Sequence, residues 1–134
     1  MRPIFVDTNI LIYASGDTHP YKNPSKRVLE KIARNQLKAV TSCEVLQEIL
    51  YHYCVIKDLL RGFALFDDCI KIISVILPIT KQDILKAREI LQEYPSAEAR
   101  DAIHAAVMLN RGINTILSYD QHFDEIKELK RIQP

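Results

Sequence analysis

Ile4-Phe5-Val6-Asp7-Thr8-Asn9 is the stretch on which the fold turns. Three apolar residues in succession read as a strand buried on both faces, and the acid that ends them sits where a strand leaves its sheet. The pattern recurs downstream. Lys38-Ala39-Val40-Thr41, Ser74-Val75-Ile76-Leu77 and Thr115-Ile116-Leu117-Ser118 are short strands of the same kind, with a weaker one from Leu129 to Ile132. Between them the apolar spacing becomes helical. It predicts helices over residues 9–14, 21–36, from Ser42 to about Lys57, 60–73, 80–94 and 95–110, and a single turn near Phe123. Ser42 and Thr80 are expected N-caps, Pro95-Ser96 the opening of the last long helix and Gly112 its end. Strands alternating with helices predict an α/β class protein with a parallel sheet covered on both faces.

The 134 residues amount to one domain, residues 1–134, with no repeat and no linker. Hydrophobic residues at 48% and charged residues at 26% exclude a disordered chain, and 3 glycines exclude a collagen-like one. Cys43, Cys54 and Cys69 are an odd number without a CxxC pair. That argues against a disulfide scaffold or a zinc ribbon and fits a reducing compartment. The longest apolar stretch, Ile72 to Ile79, is too short to span a membrane, and Asp7 interrupts the only N-terminal apolar run, so a cytoplasmic protein is expected.

Net charge is +1, which says nothing about a polyanionic partner; its distribution says more. From Lys22 to Lys38 there are six basic residues against one acid, Glu30. Lys22, Lys26, Arg27 and Lys31 are therefore candidates for facing phosphate groups of a polyanion, against the simpler reading of a solvated helix face.

In such a sheet ligands bind beyond the C-terminal ends of the strands. Asp7 follows the first strand, Glu48 lies just beyond the second, and Asp120 follows the fourth with Ser118 and Tyr119. Asp101 is unusual differently: Ala102, Ile103, Ala105, Ala106, Val107, Met108 and Leu109 make its helix apolar almost all round. Such a helix is buried, and a carboxylate on it is costly unless paired or bound to a cation. Each acid has a plainer explanation. Asp7 could cap a helix, Glu48 could be solvated, Asp101 could pair with Arg100 or Arg111, and Asp120 could be a turn residue. Four acids at four converging positions favour a shared site. Carboxylates so placed need a counter-cation, and Mg²⁺ or Mn²⁺ suits an oxygen-only donor set. Zinc is not expected, since no His or Cys accompanies the acids at ligand spacing. His104, one turn beyond Asp101, could face the site or simply be packed, and His122 beside Asp120 could touch substrate. His19 and His52 carry no signal. No GxSxG and no phosphate-cradling glycine loop is present.

With these residues in view, the chain resembles the PIN-domain ribonucleases. Phe5-Val6-Asp7-Thr8-Asn9 is similar to the family's opening motif. Glu48 in Ser42-Cys43-Glu44-Val45-Leu46-Gln47-Glu48 matches the second acid, and Arg100-Asp101-Ala102-Ile103-His104-Ala105-Ala106 the third. Ser118-Tyr119-Asp120-Gln121-His122-Phe123-Asp124 looks like the fourth. The resemblance implies a three-layer α/β/α fold with a five-stranded parallel sheet in the order 3-2-1-4-5. It implies a Mg²⁺- or Mn²⁺-dependent endoribonuclease with Asp7, Glu48, Asp101 and Asp120 as metal-binding, catalytic acids, supported from behind by Asn9 and Ser118. The family often has a further acid two residues after the fourth; here that place is His122, so Asp124 is only a lesser candidate. Small proteins of this kind are similar to VapC-type toxins, which implies a homodimer and an antitoxin partner. Two alternatives remain. A haloacid-dehalogenase-like phosphatase would want an acid where Asn9 stands. A catalytically silent PIN-like module, acting through protein or RNA contacts, would be expected to have lost an acid.

Overall fold

Strands β1 (Ile4–Val6), β2 (Ala39–Ser42), β3 (Val75–Leu77), β4 (Thr115–Leu117) and β5 (Lys130–Ile132) pair in parallel in one sheet ordered β3-β2-β1-β4-β5. The computed structural model describes residues 1–134. Phe5 lies opposite both Val40 and Ile116, and Val6 opposite Leu117, so β1 is the central strand. Strand order reverses between β1 and β4. The C-terminal ends of these two strands therefore open a crevice, and Asp7 and Ser118 leave the sheet side by side.

Six helices complete the α/β/α layers: α1 (Thr8–Ser15), α2 (Lys22–Ala33), α3 (Cys43–Val55), α4 (Leu59–Ile72), α5 (Lys81–Glu93) and α6 (Ala99–Leu109). A turn of 3₁₀-helix covers Gln121–Glu125. The core joins Phe5, Val6, Ile116 and Leu117 of the central strands to Ile10, Leu11, Val45, Ile49 and the alanine-rich face of α6. The Phe5 ring lies 5.4 Å from that of His104, which places α6 over β1. Tyr53 packs against Gly62, where an added Cβ would come within 2.6 Å of the tyrosine Cβ, so α3 and α4 approach as closely as they do because residue 62 is glycine.

Three helix ends depart from expectation; α2 stops at Ala33 instead of residue 36, because Asn35 takes a left-handed conformation at φ 58°. Pro95-Ser96 does not open α6. Residues 95–98 form a turn, in which Ala97 N donates to Tyr94 O at 3.0 Å, and the helix begins at Ala99. Ser42 stands at the N-cap position of α3 but its hydroxyl makes no capping bond, because it is the buried last residue of β2. Thr80 does cap α5, in a reciprocal box with Asp83. Gly112, at φ 72°, ends α6: Ile113 N reaches back to Met108 O at 2.9 Å.

Asp83 also ties α5 to α6. Only 1% exposed, it accepts two bonds from the Arg111 guanidinium, at 2.9 and 3.1 Å, and one from Asn110 at 2.9 Å. Arg111 is therefore committed to Asp83 and does not pair with Asp101.

Candidate active site

Asp7 occupies the point where β1 gives way to α1. Its Oδ1 accepts from Thr8 N at 2.8 Å, capping α1. Its Oδ2 accepts from Ser118 Oγ at 2.6 Å and Asn9 Nδ2 at 3.2 Å. Ser118 Oγ in turn accepts from Asn9 Nδ2 at 3.1 Å and from Asp120 N at 2.9 Å. One serine hydroxyl thus joins the ends of β1 and β4 and sets the distance between Asp7 and Asp120. Asp7 thus caps α1 and also lines the pocket formed with the other acids, so the two readings of the sequence are compatible.

Glu48 comes from the second turn of α3 and Asp101 from the first turn of α6. Asp120 precedes the 3₁₀ turn, accepting from His122 N at 2.9 Å and pairing with His122 Nδ1 at 2.8 Å. Asp7, Glu48, Asp101 and Asp120 line one open pocket of about 500 Å³, together with Asn9, Tyr13 and Arg100. The electrostatics follow from this convergence. Burial, reinforced by Asp120 and Asp7, pushes the Asp101 carboxyl up to about 7. Burial also raises Asp7, and the opposing pull of His104 and of the Ser118 bond does not cancel it.

His104, for which the sequence left open whether it faces the site or is simply packed, does both. It is wholly buried, its Nε2 meets Glu48 Oε1, and the same atom lies 3.7 Å from Asp7 Oδ1. Burial lowers the imidazole's proton affinity, but the Glu48 bond and the nearby Asp7 charge outweigh that and raise it. The sequence carried one signal: His104 sits three residues after Asp101 on the same helical face.

Other candidates lie apart from the pocket. Asp124 is held by Arg131 through bonds of 2.9 and 3.1 Å and does not line it. Lys22 donates to Gly16 O at 2.7 Å, Lys26 borders an apolar groove between α1, α2 and α4, and neither these nor Arg27 and Lys31 reach the acids. The cationic side chain that does line the pocket is Arg100, 3.3 Å from Glu98.

The PIN domain family model matches residues 4–129. This chain belongs to the PIN domain family. Among curated relatives, "Ribonuclease VapC13" of Mycobacterium tuberculosis is 39% identical over 129 residues, covering 96% of this chain and 98% of the relative. "Ribonuclease VapC23" of the same organism is 34% identical over 118 residues, covering 87% and 92%. A solved structure of Mycobacterium tuberculosis VapC20, described as a "Sarcin-Ricin loop cleaving toxin", superposes with a TM-score of 0.78 at 22% identity, covering 98% and 99% of the two chains. VapBC2 of Rickettsia felis, bound to a promoter DNA fragment, gives 0.76 at 20% identity, covering 98% of each. These two structures bear on the fold, which they share with this PIN protein.

The pocket's donor set is chemically suited to a hard divalent cation. Its acids supply only oxygen, and their crowding, visible in the raised Asp101, is what a cation relieves. No three His, Cys, Asp or Glu side chains are grouped closely enough here to hold an ion as they stand. The acids of this PIN domain share a pocket without closing into a chelate.

Proposed function

We propose that this PIN protein is a divalent-metal-dependent endoribonuclease and the toxin of a toxin–antitoxin pair. The observation that carries the reading is the convergence of Asp7, Glu48, Asp101 and Asp120 on one pocket at the β1/β4 crevice. The ribonuclease names of relatives aligned over nearly the whole chain support it. The four acids would hold Mg²⁺ or Mn²⁺. With such a cation bound, the site would be able to activate a water and offset charge on the departing oxygen. Ser118 and Asn9 orient Asp7 by their hydrogen bonds, and His104 orients Glu48 from the core side. Arg100 offers a guanidinium to the RNA phosphate at the pocket wall. The basic face of α2, carrying Lys22, Lys26, Arg27 and Lys31, would engage RNA flanking the cleaved bond rather than the bond itself. A homodimer and a cognate antitoxin complete the proposal. No helix is long and apolar enough to cross a membrane.

The test is cleavage of a structured RNA with Mn²⁺ and with chelator, comparing wild type with Asp7→Asn and Asp101→Asn. Cleavage by wild type alone, abolished by chelator, is expected. RNA that binds yet stays intact with Mn²⁺ would make the protein a silent binding module.

A further inference from the structure

Next to the acid pocket lies a second recess of about 240 Å³, lined by Tyr13, His19, His52, Arg61, Asp17 and Thr18 among others. The two cavities share Ile12, Tyr13 and His52, so one wall serves both. We propose that this recess is a nucleobase-binding subsite, which takes an unpaired base of the RNA next to the phosphate held over the acids. The inference rests on the ribonuclease reading and adds to it where one base of the substrate goes.

Three features fit a base rather than a phosphate or an aliphatic side chain. The first is the π surface. The Tyr13 and His19 rings pack on each other, 4.6 Å apart at 34°, with His19 exposed and Tyr13 half-buried, and His52, half-buried, stands edge-on to Tyr53 at 4.8 Å. Aromatic and imidazole faces are what unstacked RNA bases pack against. The second is charge. Arg61 lies 3.1 Å from Asp58 and 3.8 Å from Asp17, so the recess has no surplus positive charge to attract a phosphate. It keeps both donors and acceptors for the edge of a neutral base. The third is rigidity. Tyr13 is braced edge-to-face by Tyr21 and Tyr119 at 5.3 and 5.5 Å, and those two rings stack on each other at 3.9 Å. Tyr119 N donates to Asn9 Oδ1 at 3.3 Å, which ties the brace to the network around Asp7. Lys22 Nζ fastens the loop bearing His19 through Gly16 O at 2.7 Å. A platform fixed in this way loses little freedom when a base arrives.

The test uses single-stranded hexaribonucleotides with 2-aminopurine at one position each, titrated with the full-length protein in chelator so that nothing is cleaved. Stacking quenches this fluorophore. At least a twofold loss of emission is expected at one position. Tyr13→Leu should abolish that loss and weaken binding roughly fivefold to a hundredfold, while Tyr13→Phe behaves as wild type. Arg61→Gln, an exposed change that spares the core, should weaken binding of the same oligonucleotide. Equal emission at every position, or full quenching by Tyr13→Leu, overturns the subsite. Should Tyr13→Leu fail to fold, the wild-type quench and Arg61→Gln decide. A parallel Mn²⁺ cleavage assay separates the two readings. Cleavage without quenching removes the subsite alone, and quenching without cleavage removes the nuclease assignment and leaves a base-binding site.

Discussion

The Nε2 atom of His104 meets the Glu48 carboxylate and lies 3.7 Å from Asp7 Oδ1, while the ring itself is fully buried. Two acids on different elements, one after β1 and one on α3, are thus aimed from behind by a single residue of α6. Partners that orient ligating carboxylates commonly govern metal affinity as much as the ligands do.

Replacing His104 should therefore change metal dependence as well as stability. His104→Ala should raise the Mn²⁺ concentration for half-maximal cleavage roughly tenfold to a hundredfold. It should also lower Tm, because it opens a cavity and strands a partly buried carboxylate. His104→Gln, which restores a donor, should recover part of the metal response. A metal titration of cleavage beside thermal melts checks this. An alanine variant that loses stability but keeps its metal response would reduce His104 to packing.

The metal-free protein should lose stability as pH rises from about 4 to 7. Asp101, with its carboxyl pushed up to about 7, and Asp7, also raised, keep protons in the folded state that the unfolded chain has already released. The folded state then binds more protons than the unfolded one, so the unfolding free energy falls with pH in that window. His104, also raised, acts in the same direction: its contribution is present below the ordinary histidine range and fades as pH climbs through its folded value. Melts in chelator should show Tm lower at pH 8 than at pH 5 by roughly 5 °C or more. Asp101→Asn should flatten the slope and raise Tm at pH 8. Mn²⁺ should stabilise wild type increasingly with pH, since it competes with those protons. A pH-independent Tm in chelator would mean that the acids do not burden the fold.

Much of this was legible in the sequence, for physical reasons that differ by residue. Ile4-Phe5-Val6 and Thr115-Ile116-Leu117 are short, wholly apolar and bounded by polar residues, so their place in a buried parallel sheet followed from composition alone. The sheet order came from the resemblance, whereas the four acids were singled out first by their places after strands and on an apolar helix. Asp101 stood out because a charge on an apolar helix is costly, whereas Asp83 and Arg111 did not. Each has ordinary polar neighbours, and only the packing of α5 on α6 buries the pair. For His104 the sequence left site and packing both open, because its partner Glu48 is 56 residues away in sequence. Tyr13, His19, Tyr21 and Tyr119 are scattered singly, with no period to connect them. The α2 bases were visible as charge, but charge does not say which face of the fold a helix presents.

Asp83 should matter to stability and not to chemistry. Burial raises its carboxyl, but the donors of Arg111, Asn110 and Thr80 outweigh this and hold it well below the usual carboxylate range. Its contribution is thus present above the unfolded value near 4 and is lost as pH falls below it. Asp83→Ala should cost about 3 kcal/mol, because it strands Arg111 and removes half of the α5 capping box. Asp83→Asn should lose the acid-dependent portion and unfold with a shallower slope below pH 4. Denaturant melts across pH measure both. Cleavage per folded molecule should be unchanged, since Asp83 does not line the acid pocket.

The basic face of α2 provides a test in which location and charge make different forecasts. Lys26, Arg27 and Lys31 are exposed and none lines the acid pocket, so they can touch only RNA that extends past it. Replacing the three together by Gln should weaken binding of a long structured RNA and flatten the dependence of log Kd on log salt, as fewer counterions are released. Binding of a hexanucleotide that fills only the pocket and the adjoining recess should change little. Arg100→Gln should do the reverse, weakening the hexanucleotide as much as the long RNA because its guanidinium faces the pocket itself. Nitrocellulose-filter or anisotropy titrations at several salt concentrations measure all four combinations. If the triple variant binds long RNA with unchanged affinity and salt slope, α2 is an ordinary solvated face and its charge surplus has no part in substrate capture.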